Sequence, residues 1–112
     1  MKRGDIVTIA DADADAGDFA RKPRPALVVQ TDAFMQDHDS VTVCLITSQL
    51  AGLGMFRIPI AANPDTGLFK PSEICIDKVQ SVWRHRIGRR VGAASNETMF
   101  AVDQALRRWL EL

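Results

Sequence analysis

The segment Lys22-Pro23-Arg24-Pro25-Ala26-Leu27-Val28-Val29 constrains this chain more than any other. Each proline fixes its own φ at about −65° and pushes the residue before it out of the helical region. Arg24 is therefore held extended at the mouth of an apolar run. From Pro25 to Thr31 the run is apolar nearly throughout, as in a strand covered on both faces. A guanidinium fork fixed at that mouth suits phosphate or carboxylate. A surface arginine that closes a loop fits the position equally well.

Other runs extend the β pattern. Asp5 to Ala10 reads as a first strand, followed by a loop rich in Asp, Ala and Gly from Asp11 to Pro23. Loops of that length in small domains are usually functional or mobile. Thr31 to Met35 suits a short helical turn capped by Thr31 or Asp32. Val41 to Thr47 is a further strand. Met55 to Ile60 alternates, and Pro59, which has no N–H, marks it as an edge strand or a bulge. Ser72 to Asp77 alternates again, with short strands expected at Gln80 to Trp83 and Arg90 to Gly92. The one clear helix follows Ser95 or Asn96 as cap, with Met99, Val102, Leu106, Trp109 and Leu110 as its apolar stripe. The expectation is a single domain, residues 1–112, mainly β with one C-terminal α-helix, built as a small, strongly bent antiparallel sheet or barrel.

Several function classes are disfavoured by composition. No apolar stretch approaches the roughly 20 residues of a membrane span, and the N-terminus lacks a signal-peptide apolar region; a cytoplasmic protein is expected. Cys44 and Cys75, 31 positions apart with no nearby histidines, make a poor zinc site and read as reduced, buried, small hydrophobes. His38 and His85 are isolated, so neither a metal nor a cofactor is expected. Net charge is zero, yet its distribution is uneven: residues 1–56 hold 5 basic and 8 acidic side chains, and residues 57–112 hold 9 and 6. Arg84, Arg86, Arg89 and Arg90 head the basic half. A local patch of that kind binds a phosphate backbone even on a neutral chain, although such arginines more often form a solvated face.

The order and spacing of Lys2-Arg3-Gly4-Asp5-Ile6-Val7, the Arg-Pro-Ala-Leu-Val-Val string from Arg24, the strand ending Thr47-Ser48, Gly67-Leu68-Phe69-Lys70-Pro71-Ser72 and Ile76-Asp77-Lys78-Val79-Gln80-Ser81-Val82 resemble the MazF/PemK (Kid) family of toxin endoribonucleases. The resemblance runs from Lys2 to Leu110. It implies an SH3-like antiparallel barrel with a C-terminal helix, a homodimer and a neutralising antitoxin. It also implies cleavage of single-stranded RNA at selected sequences. RNA carries its own nucleophile, the 2′-hydroxyl, so such an enzyme needs no metal. It must align attacker and leaving group and stabilise the charge on phosphorus.

Carried onto this chain, the resemblance gives Arg24 the charge-stabilising role and Thr47 the role of holding a non-bridging oxygen or the 2′-hydroxyl. Asp77 is a candidate acid or base, or else a structural ion-pair partner of Lys78 or Arg24. Ser48, Lys70 and Arg84 are candidate RNA contacts; a turn cap, a solvated loop lysine and a solvated face are their respective alternatives. Trp83 and Trp109 read as core or dimer packing more readily than as base-stacking groups. The chain departs from some relatives at Cys75, where they carry arginine, at Lys78, where some carry glutamine, and in a first loop that offers Arg21 and Lys22 but no histidine. The aspartates of that loop belong away from a phosphate site or on a moving flap. An antitoxin is expected to lay an acidic and apolar peptide across the groove near Arg24 and Arg84. Two alternatives share the fold: a CcdB-like gyrase-binding toxin, whose Trp-Gly-Ile ending is missing here, and an inactive binding module.

Overall fold

The computed structural model describes residues 1–10, 23–52 and 54–112. The loop aspartates Asp11, Asp13, Asp15 and Asp18, with Arg21 and Lys22, lie outside the described residues. The elements are β1 (Asp5–Ile9), β2 (Arg24–Val28), β3 (Ser40–Thr47), β4 (Arg57–Ile60), β5 (Ser72–Trp83), β6 (Ile87–Ala93) and α1 (Asn96–Leu110), with 3-10 turns at Asp32–Phe34 and Arg84–Arg86. All recorded strand pairs are antiparallel, in the order β4-β5-β3-β2-β1-β6. The expected barrel is left unclosed. Among the described residues β4 and β6 are the two edges, and Pro59 sits on one of them. A proline there costs the ladder no donor.

Strand β2 is covered on both faces, as its unbroken apolar run requires. Leu27 joins Ile6, Cys44, Ile74, Ile76 and Val102 in one buried cluster, under α1. Ala26 and Val28 join Val7, Ile9, Val41, Val43 and Met35 in another. The strand ends at Val28, short of the expected Thr31, because the next two amides, of Val29 and Gln30, both donate to the Thr42 carbonyl. Thr31 then caps the 3-10 turn by accepting from the Ala33 amide, and the turn delivers Met35 into the second cluster.

Two expected strands, Ser72–Asp77 and Gln80–Trp83, are one. Cys44 opposes Val79 while Leu45 opposes Cys75, so Ile76, Asp77 and Lys78 form a bulge. Extra residues of this kind bend a strand and re-aim its side chains. The Ile76 amide leaves the β3 ladder and donates to the Phe56 carbonyl, and β5 then pairs with β4 as well. Asp77 and Lys78 looked like a strand end because they carry the polar, outward residues of that bulge.

Helix α1 starts at Ser95, whose hydroxyl accepts from the Thr98 amide and satisfies a first-turn donor. Its buried stripe is narrower than expected: Val102 and Ala105 are buried, with Met99 and Leu106 half-buried, while Trp109 and Leu110 stay exposed. Trp109 meets Phe56 edge-on, 5.1 Å between ring centres. Arg3 locks the helix to the N-terminus through Asp103 at 2.5 Å and the Val29 carbonyl at 2.9 Å. No helix of the described residues is long and apolar enough to cross a membrane.

Candidate phosphodiester groove

Register builds the site. In the β2–β3 ladder Ala26 opposes Leu45 and Leu27 opposes Cys44. Carried two residues towards the open end, the same register sets Arg24 at the level of Thr47. Thr47 in turn opposes Glu73 on β5. Arg24, Thr47 and Glu73 thus form a row across three strands, set by pairings in the buried middle of the sheet.

Arg24, Thr47, Ser48 and Lys70 line one open groove of about 1040 Å³. The structure brings together these four of the six residues singled out from sequence. Thr47 Oγ1 accepts from the Gln49 amide at 3.1 Å, which leaves its own proton to donate outward. Glu73 is only 6% exposed. Its two carboxylate oxygens accept from the Ala51 and Gly52 amides at 2.9 and 3.1 Å, so the loop that follows Thr47 is held from beneath.

Asp77 and Arg84 lie outside the groove's lining. Asp77, in the β5 bulge, pairs with Arg57 at 3.3 Å, a partner that the sequence reading did not name. The Arg84 guanidinium donates to the carbonyls of His38, at 3.0–3.1 Å, and Met35. It closes the segment that carries Met35 into the core. Both side chains are engaged structurally, at places where the chain bulges or turns.

The groove also contains residues that sequence reasoning passed over: Arg89, Phe69, Gln49 and Thr8. Arg89 belongs to the arginine patch of the basic half, a composition that fits a solvated face as well as a phosphate track. Gly88 was the available signal. A Cβ there would collide with Thr8 Oγ1, which accepts from the Arg89 amide at 3.1 Å. Only glycine lets β6 approach β1 closely enough to set Arg89 in the wall. With Arg24 and Lys70 the lining then carries three cations and, among its described residues, no carboxylate. That is an environment for a phosphodiester. Nor do the described residues bring three or more His, Cys, Asp or Glu together as ligands for an ion.

Cys44 and Cys75 are buried free thiols. Burial pushes Cys44 up to about 12, and Cys75 and Asp77 nearby add to the effect against Arg3. Burial raises Cys75 as well. Both behave as small apolar groups.

A six-stranded antiparallel sheet backed by one terminal helix, with a groove lined by Arg24, Lys70 and Arg89, defines the class: a small β protein with a cationic groove. Within that class the chain belongs to the PemK-like, MazF-like toxin family of type II toxin–antitoxin systems, whose family model matches residues 2–110. It is 41% identical over 106 residues to a protein of Mycolicibacterium smegmatis named "Probable endoribonuclease MazF", covering 95% of this chain and 93% of that one. Mycobacterium tuberculosis toxin MazF-mt6 superposes with a TM-score of 0.77 at 26% identity, covering 95% and 96% of the two chains. An endoribonuclease from a mycobacterial species, solved in complex with its cognate antitoxin, shares the fold with a TM-score of 0.75 at 19% identity, covering 100% and 96%.

Proposed function

We propose that this chain is a toxin endoribonuclease that cuts single-stranded RNA at selected sequences without a divalent metal. The 2′-hydroxyl attacks the adjacent phosphorus and the bond to the 5′-oxygen breaks, leaving a 2′,3′-cyclic phosphate and a 5′-hydroxyl. The observation that carries the reading is the register that sets Arg24 beside Thr47 in a groove lined by cations. Arg24 offers paired N–H donors to the non-bridging oxygens as charge builds on phosphorus. A guanidinium supplies charge and N–H donors and has no acceptor, so its role is charge and not base. Thr47 donates its hydroxyl to a non-bridging oxygen or holds the 2′-hydroxyl in line. Ser48, Lys70 and Arg89 hold the flanking phosphates. Membership of a type II toxin family, and names such as "endoribonuclease" among relatives, support the reading.

The proposal extends to partners: a homodimer and a cognate antitoxin that occludes the groove. It is tested with an RNA oligonucleotide in excess EDTA beside a copy with one 2′-deoxy sugar at the cut site. Cutting in EDTA that stops at the deoxy sugar supports this mechanism. Cutting that needs magnesium, or that continues at the deoxy sugar, excludes it.

A further inference from the structure

Phe69 is 95% exposed. A bare phenyl group forgoes the stabilisation that burial would bring, so its setting matters. Its loop is pinned on both sides. The Gly67 amide donates to the Asn63 carbonyl at 2.9 Å. Gly67 itself takes φ +70°, pressed so close to the Val91 backbone that a Cβ would collide with it. The Thr66 hydroxyl, in a residue 6% exposed, donates to the Ala61 carbonyl at 2.7 Å. Leu68 packs on the core, and beyond Phe69 the Ser72 hydroxyl donates to the Lys70 carbonyl at 2.9 Å. The fold therefore holds this ring out in water on a fixed support.

Position distinguishes it from the other exposed aromatic side chains among the described residues. Phe34, Trp83, Phe100 and Trp109 lie off the groove, whereas Phe69 lines it, together with Arg24, Lys70 and Arg89. An aromatic face among cations that track a backbone is the arrangement by which proteins hold single strands. Unpaired RNA bases are splayed out and stacked on such rings.

We propose that Phe69 is a stacking platform for a nucleobase of the bound RNA, next to the phosphate held at Arg24; this rests on the RNA-cleaving reading above. The ring binds and orients the strand, and so helps to select the sequence presented for cleavage. It takes no part in the bond changes.

The test uses full-length protein in EDTA and an RNA oligonucleotide made uncleavable by one 2′-deoxy sugar at the cut site. 2-Aminopurine is placed at each position in turn. The expected result is one position quenched on binding to the wild type and bright with Phe69→Ala. Affinity should fall roughly five- to hundredfold, the range for loss of one stacked base. Phe69→Trp should keep both signals and Phe69→Leu should lose them, at unchanged melting temperature. Affinity within twofold for Phe69→Ala, with the same quenched position, overturns the proposal. So does a variant that keeps its RNA affinity while self-association or antitoxin binding weakens, since the ring would then serve a protein surface. Arg24→Ala separates the two readings: cleavage as fast as wild type would sink the catalytic reading and leave the stacking result standing. Failure of the wild type to bind RNA would end both.

Discussion

Thr47 and Glu73 face one another across the β3–β5 ladder and grip the same loop, Thr47 at the Gln49 amide and Glu73 at those of Ala51 and Gly52. The wall of the groove and the buried sheet are joined at that pair. Glu73→Gln replaces one acceptor oxygen with an NH2 group aimed at a backbone N–H. The loss is expected to be about 1–3 kcal/mol, read as a lower urea midpoint, and cleavage should slow although no group on the substrate is removed. Midpoint and rate both equal to wild type would show that the loop needs no anchor.

Arg24→Ala should slow cleavage on the order of a hundredfold or more, the usual cost of removing a charge-stabilising donor. Arg24→Lys should rescue it poorly, because an ammonium lacks the planar fork. Thr47→Ala should cost less, since it removes one neutral hydroxyl, and Thr47→Ser should recover most of the rate. Single-turnover kinetics give the ranking; a threonine variant slower than the arginine variant would reverse the assigned roles.

Arg84→Ala is expected to act on stability. It frees the carbonyls of Met35 and His38 and should cost about 1–3 kcal/mol, with RNA affinity within a few-fold of wild type. A large loss of affinity at unchanged melting temperature would place Arg84 on the RNA.

Stability should fall in alkali through Cys44. In the unfolded chain this thiol titrates near 9.0, and in the folded protein at about 12. Below the lower value both states hold the proton and the contribution is fully present. Between the two the unfolded state alone releases it, so stability declines as pH rises. Urea midpoints between pH 8 and 10.5 should drop less steeply for Cys44→Ala, and native Cys44 should resist alkylation until the protein is unfolded.

Much of the sheet was legible because its signals are local. Proline on both sides of Arg24, the β-branched run to Thr47 and the proline in β4 each act within a few residues. So were four of the groove's residues. What escaped depends on contacts distant in sequence. The β5 bulge exists because one strand must serve both β3 and β4. Arg89 reaches the groove because Gly88 meets Thr8. Asp77 and Arg84 lie outside the groove's lining, and only their tertiary partners Arg57, Met35 and His38 show what they hold in the fold.

In the strand order the last strand, β6, adds to the first. Thr8 and Arg89 of the groove therefore meet only when the last strand pairs with the first. A chain still emerging from the ribosome, with β6 not yet made, has Arg24 and Thr47 but lacks the wall beside them. The groove is therefore incomplete until β6 has been made, and a cut that removes the residues after 87 should abolish it.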